Sequence, residues 1–188
     1  MDYYEDSKNV GQYIEFTPSH DGALLVDLLV ANLPAGATVL ELGMGPGKDF
    51  DKLSKHFSVT GSDFSTTFLE LYRLRNERAD LLHLDARTLD TGRTFDAIFS
   101  NKALIHMSGD ELRASFARQS EVLNAGGLIL HSFWHGTGEA NFDGLPLVYH
   151  DEQGLAGMLE EAFNIVEIGR HAKMAEDDSI YVLARIKD

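Results

Sequence analysis

The chain has no cysteine, four prolines, one tryptophan and few cations, with 16 lysines and arginines against 30 aspartates and glutamates in 188 residues. Each shortage excludes a class of molecule. Without thiols there are no disulfides, thiolate metal sites or cysteine nucleophiles, a composition that suits the cytoplasm. A formal charge of -14 disfavours nucleic acid and anionic membranes as partners, because binding phosphates requires a basic face. No apolar run approaches the roughly 20 residues that span a bilayer. The opening MDYYEDSKNV is acidic and polar where a signal peptide would be basic and then apolar. A cytoplasmic protein with a small-molecule partner is the expectation. Nothing in the composition bears on oligomeric state.

What is present suffices for a packed core. The hydrophobic fraction is 44% and the aromatic fraction 10%, and the length suits a single domain over residues 1–188. Thr17-Pro18-Ser19 places a cap before a helix-starting proline, with Leu24, Leu25, Leu28, Leu29 and Leu33 following at helical spacing. Residues 1–35 therefore read as a helical N-terminal segment, or lid, ahead of the first strand. Apolar strands and amphipathic stretches then alternate: ATVLELG and a helix to about His56, SVTGSDF and a helix through Leu74, LLHLD, FDAIFSN and a helix from Asp110 to Leu123, GGLILHSFW and a helix from Asp151 to Phe163. That order predicts a mostly parallel sheet covered on both sides by helices. FNIVEIGRH and SIYVLARIK are joined too closely for a crossover helix, so they predict a terminal antiparallel hairpin, making seven strands in all. Residues 135–150, HGTGEANFDGLPLVYH, form the one long irregular segment and read as a substrate-side loop.

The stretch VLELGMGPGKDF carries the chemistry. Its first strand ends at Leu42, so Gly43, Gly45 and Gly47 fall at the carboxyl end of a parallel strand, where open α/β sheets bind ligands. Glycine there allows left-handed backbone and close approach of a ligand to the main chain. A triphosphate loop is excluded by spacing, because Leu42 stands five residues before Gly47 and Asp49 takes the Ser/Thr position. A dinucleotide fingerprint would need glycine at Lys48.

The pattern Glu41-Leu42-Gly43-Met44-Gly45-Pro46-Gly47 resembles the first motif of the class I, Rossmann-like S-adenosylmethionine-dependent methyltransferases. The resemblance extends over nearly the whole chain. Asp63 in GSDFS matches the family's ribose-binding acid after the second strand, and it also reads as a helix cap. Asp85 in LHLDAR matches the acid near the adenine amino group, again with capping as an alternative. FDAIFSNKALIHM is similar to the fourth-strand motif, with Asn101 leaving the strand and His106 in the following turn. LNAGGLILHSFW matches the fifth-strand motif. The resemblance implies a Rossmann-like three-layer sandwich that binds S-adenosyl-L-methionine and releases S-adenosyl-L-homocysteine. Its cofactor-binding residues would be Glu41, Gly43, Gly45, Gly47, Asp63, Phe64, Asp85, Ala86 and Asn101. Glu41, a carboxylate on an apolar strand, needs either backbone amides or the cofactor's ammonium.

Acceptor and base are less determined. His106, Tyr149 and His150 are the candidate catalytic residues, with Tyr13 and His135 on the substrate side. His131 and the aromatics Tyr3, Tyr4 and Phe16 are further candidates, and all of these also read as ordinary packing. No histidine has metal-ligand spacing, so no metal is expected. The implied reaction is in-line methyl transfer to a small molecule. A non-catalytic cofactor-binding subunit or sensor, or a nicotinamide-dependent oxidoreductase, would share most of these features.

Overall fold

The structure is a computed structural model that describes residues 2–16, 22–142 and 144–187, with the side chains of Asp2 and Phe16 outside the description. The Thr17-Pro18-Ser19 helix start and the expected role of Phe16 lie outside the described residues. A single 3-10 turn, Asp2–Glu5, and helices α1 (Ser7–Phe16) and α2 (Ala23–Asn32) precede the sheet. There follow β1 (Thr38–Leu42), α3 (Lys48–Leu53), β2 (Ser58–Asp63), α4 (Thr66–Arg75), β3 (Leu81–His83), β4 (Phe95–Asn101), α5 (Gly109–Glu121) and β5 (Leu123–Trp134). A two-stranded hairpin, β6 (Glu139–Phe142) with β7 (Leu145–Val148), leads to α6 (Glu152–Leu159), β8 (Phe163–His171) and β9 (Ser179–Ile186).

The main sheet has seven strands in the order β3-β2-β1-β4-β5-β9-β8. Its first five strands run parallel, and β9 pairs antiparallel with both β5 and β8. The expected α/β fold with its terminal hairpin is what the structure contains. Side chains alternate between two cores, as the two-residue period of a strand requires. Leu40, Leu42, Ile98 and Ile129 face α5 and α6 through Leu112, Phe116, Leu155 and Leu159. Val39, Ala97, Phe99, Leu128 and Leu130 face α2 and α3 through Leu25, Val26, Leu29 and Leu53. Burying each large apolar side chain contributes roughly 1.5–3 kcal/mol. Both faces are therefore covered, which is why these strands read as continuous apolar runs.

Strand order reverses between β1 and β4, and the crevice beyond their carboxyl ends is where the glycine loop stands. Two expectations change in detail. Residues 135–150 are not irregular: β6 and β7 pair across a turn in which the Asn141 side chain accepts a hydrogen bond from Gly144 N–H at 2.8 Å. All four β6 residues are exposed, so no alternation marks that strand in the sequence. Leu123 begins β5 rather than ending α5, because it pairs with Phe95 ahead of an irregularity in the β4–β5 ladder.

Candidate active site

The glycine loop leaves β1 with three left-handed residues, Gly43 (φ 65°), Gly45 (φ 50°) and Gly47 (φ 80°). Their reasons differ. A Cβ on Gly43 would lie 2.4 Å from the Ala103 Cβ, and one on Gly47 would lie 2.2 Å from the Tyr72 ring. These two are needed for close packing. Gly45 is the one that faces open space, since a Cβ there would meet only Tyr13, at 3.9 Å. Gly45 N–H donates to Asp63 Oδ2 at 2.8 Å, and Ser65 N–H donates to Asp63 Oδ1 at 2.9 Å. The carboxylate is thus fixed at the loop, with a backbone donor on each oxygen.

Two joined cavities open over this crevice. The larger, about 1010 Å³, is lined by Glu41, Gly43, Gly45, Asp49 and Asn101, and by Tyr3, Tyr4, Tyr13, Lys102, His106, Trp134, His135, Phe142, Leu145, Leu147, Tyr149, Lys173 and Met174 among others. The smaller, about 120 Å³, is lined by Asp63, Phe64, Asp85, Ala86, Phe68 and Met107. Tyr4, Tyr13, Gly43, Gly45, Asn101, Lys102 and His106 border both. Most sequence-predicted site residues therefore meet in one place. Gly47 does not line either cavity, for the packing reason given above.

The floor of the larger cavity is acidic and incompletely satisfied. Glu41 is 3% exposed, and its Oε2 has no hydrogen-bond partner. Burial, reinforced by Asp49 and Asp63, raises its pKa well above the carboxylate range. Asp49 Oδ1 is equally without a partner, while Oδ2 accepts from Asn101 Nδ2 at 2.8 Å. Asn101 Oδ1 in turn accepts from Ser132 Oγ at 2.7 Å, so Asn101 braces Asp49 with both ends engaged. Two orphaned carboxylate oxygens in a cavity wall leave a deficit that a cationic ligand group would cancel. A ligand with an ammonium near Glu41 and a hydroxyl pair near Asp63 fits these donors and acceptors. Asp85 is different, since its carboxylate forks onto Arg87 (2.6 Å from Oδ2 to the guanidinium) and its pKa is lowered mainly by that bond.

The N-terminal segment lines the cavity with Tyr3, Tyr4, Gln12 and Tyr13. The Glu5 carboxylate accepts from Thr66 N–H at 3.0 Å and from Thr66 Oγ at 2.8 Å, capping the first turn of α4. This anchors Tyr4, whose ring lies 5.7 Å from Tyr13, 5.9 Å from Phe68 and 6.1 Å from His106. Burial, with Asp63 nearby, pushes the Tyr13 phenol up to about 12, so it stays protonated.

The candidate bases separate clearly. His106 Nδ1–H donates to the Pro146 carbonyl at 2.8 Å, which leaves Nε2 as the lone-pair nitrogen, and burial lowers its pKa below the usual histidine value. Tyr149 and His135 also line the larger cavity. His150 is a correction: it is 4% exposed, packs edge-on against Phe133 at 4.9 Å, and does not reach the cavity wall. His131 is another. It is fully buried between Ser100 Oγ (2.8 Å) and Gln119 Oε1 (2.7 Å), and burial depresses its pKa to about 3. Sequence reading missed Asp49, Lys102, Trp134 and the hairpin residues Phe142, Leu145 and Leu147. Asp49 had a signal: the first turn of a helix that follows a strand-end glycine loop points back into the crevice. Among the described residues no group of three or more histidines and carboxylates could hold a metal ion, and no helix is long and apolar enough to cross a membrane.

Comparison with known proteins agrees with this geometry. A family model described as a methyltransferase domain matches residues 39–127. Over 118 residues the chain is 31% identical to the dTDP-3-amino-3,6-dideoxy-alpha-D-glucopyranose N,N-dimethyltransferase of Streptomyces fradiae. That match covers 61% of this chain and 46% of the relative, so the chain spans less than half the length of that protein. The structure superposes with a TM-score of 0.80 on the 1,6-didemethyltoxoflavin-N1-methyltransferase of Burkholderia thailandensis, solved with 1,6-didemethyltoxoflavin and S-adenosylhomocysteine, at 25% identity over 97% of this chain and 87% of that one. An S-adenosylmethionine-dependent methyltransferase from Clostridium acetobutylicum gives a TM-score of 0.78 at 16% identity over 96% of this chain and 98% of that one, a likeness of fold.

Proposed function

We propose that the chain is a member of the class I S-adenosylmethionine-dependent methyltransferases, as the methyltransferase-domain match over residues 39–127 and the Streptomyces and Burkholderia relatives support, and that it transfers a methyl group from S-adenosylmethionine to a nitrogen of a small-molecule acceptor. The observation that carries this reading is the pairing of an oriented Asp63 with the unpartnered Glu41 carboxylate across the open main chain of Gly45. When bound, the cofactor supplies a methyl on a cationic sulfur, a group already activated for in-line displacement. Asp63 would hold the ribose hydroxyls, and Glu41 with Asp49 would hold the ammonium. Phe64 and Ala86 would border the adenine, with Asp85 engaged chiefly by Arg87. Fixing donor and acceptor in line supplies roughly 7–11 kcal/mol in favourable cases.

A nitrogen acceptor that begins as an ammonium or amide must lose a proton. Neutral His106 is the group suited to take it, because its Nδ1–H is committed to Pro146 and its Nε2 is not. The nitrogen preference is supported by the Streptomyces and Burkholderia relatives, both named as N-methylating enzymes. Tyr13, His135 and Tyr149 would border the acceptor.

Calorimetric titration with S-adenosylhomocysteine, with NAD as comparison, tests the cofactor. Saturable binding of the former alone is expected, and Asp63→Ala should weaken it by roughly a hundredfold, the value of two charged hydrogen bonds at about 1.5 kcal/mol each. Binding of NAD alone would replace this reading with an oxidoreductase. Cofactor binding without turnover on a panel of small amines and N-heterocycles would leave a non-catalytic sensor or subunit.

A further inference from the structure

Lys102 follows the last residue of β4 with a left-handed backbone (φ 61°), a conformation that L residues other than asparagine and aspartate rarely adopt. Its ammonium ends between β5 and β9. It donates to the Phe133 carbonyl and, at 2.9 Å, to Ser179 Oγ, and its Nζ stands 3.9 Å from the centre of the Trp134 ring. All three partners are neutral. Among the described residues no carboxylate lies within ion-pair distance of Nζ. Asp178 acts on it through space, but that carboxylate already accepts three backbone N–H groups, from Lys173, Met174 and Ala175, and the Ser179 hydroxyl.

A largely buried ammonium without a counter-ion is costly, and the protein tolerates it either by losing the proton or by gaining an anion. Burial and the like charge of Lys173, which lines the same cavity, lower the Lys102 pKa to about 7, against the opposing pull of Asp178. His171 on β8 also faces it. The cavity wall thus carries both signs. Glu41 and Asp49 come from β1 and the first turn of α3, where a cation fits; Lys102 reaches from the end of β4 to Phe133, Trp134 and Ser179, and Lys173, Phe142 and Tyr149 line the same cavity.

We infer that Lys102 reads the acceptor, and that the acceptor is a planar molecule whose carboxylate, or equally acidic group, pairs with the Lys102 ammonium beside Trp134. This rests on the methyl-transfer reading above, and the two fail differently. Trp134 is the sole tryptophan, so its fluorescence reports from the Lys102 site alone. With the protein saturated in S-adenosylhomocysteine and ionic strength held constant, benzoate and benzamide are titrated against Trp134 emission. Benzoate should saturate at least tenfold more tightly than benzamide, Lys102→Arg should keep that ratio, and Lys102→Met should bring it close to one. Equal binding of the two probes, no saturable response to benzoate, or a ratio that survives Lys102→Met would overturn the inference. If Lys102→Met does not fold, the wild-type ratio and Lys102→Arg decide it. Failure of S-adenosylhomocysteine to bind the wild type would overturn the cofactor reading instead, at the first step of the experiment.

Discussion

Glu41, Asp63 and the glycine loop are positioned by strands buried on both faces, whereas Tyr13, Leu145, Tyr149 and Lys173 sit on segments outside the main sheet. The first group comes from β1, β2 and the turn between β1 and α3. The second comes from α1, the β6–β7 hairpin, the connection that follows it and the β8–β9 connection. One end of the cavity is thus held by the core, and its chemistry cannot drift without unfolding the sheet. The other end is assembled from excursions that tolerate change, which is where families of one fold vary their acceptors.

His106 sits where the two ends meet, so its replacement should break the comparison most sharply. His106→Ala should lower turnover by 10²–10⁴, about 3–5 kcal/mol, while S-adenosylhomocysteine still binds. The rate of the wild type should fall as pH drops through the depressed His106 pKa, because only the neutral ring accepts a proton, and the variant should lose that limb. Full turnover with an unchanged pH profile would remove His106 from the mechanism.

The glycines separate fold from function within the core-held end itself. Gly43→Ala drives a Cβ into Ala103 and should cost roughly 2–4 kcal/mol in denaturant unfolding, from overpacking plus left-handed strain. Gly45→Ala has room and should cost about 1 kcal/mol, yet it narrows the cavity and should weaken S-adenosylhomocysteine binding more than Gly43→Ala weakens it per unit of lost stability. Equal stability losses would mean that the two positions are packed alike.

Glu41→Gln should trade binding for stability. Cofactor-product affinity should fall roughly tenfold or more, the value of a charged hydrogen bond at about 1.5–3 kcal/mol. The ligand-free protein should melt at a higher temperature, because the orphaned carboxylate is gone. The sign can be checked by pH: a carboxyl whose folded pKa is raised takes up its proton first in the folded state, so the wild type loses stability as pH rises above the ordinary glutamate value. Calorimetry of the two proteins at several pH values measures both effects, and a variant less stable than the wild type would refute the deficit.

His131 offers the smallest effect per step, away from the cavity. Its folded pKa of about 3 lies below the unfolded value of 6.5, so the unfolded chain binds the proton first. The stability contributed by neutral His131 is complete above pH 6.5 and is lost as pH falls, by up to about 1.4 kcal/mol per pH unit. His131→Gln should show a shallower decline between pH 6.5 and 5 in urea melts. Parallel curves would contradict the buried neutral ring.

These contrasts also explain what the sequence made legible. Strand ends carry a readable period and a fixed position for ligand groups, so the crevice at the end of β1 was legible, and the family resemblance placed Glu41, Gly45 and Asp63 there. Asp49 escaped because its role depends on Asn101 reaching from β4 across 52 positions. The hairpin escaped because β6 is exposed throughout and has no apolar face to mark it. Lys102 escaped because a lysine after a strand reads as a solvated charge until its ammonium is seen against Trp134. His150 was misread because a loop histidine has no signal that separates a cavity wall from the core behind it.

The bond from His106 to the Pro146 carbonyl carries one consequence for the reaction cycle. A carbonyl acceptor selects a single tautomer of the imidazole, and this carbonyl belongs to the β6–β7 hairpin that lines the larger cavity. Raising the hairpin to admit a substrate would release Nδ1–H and let the proton redistribute between the two nitrogens. On the proposed mechanism, the competent form of the base would be restored only on closure, timing proton abstraction to the moment when bulk water has been shut out.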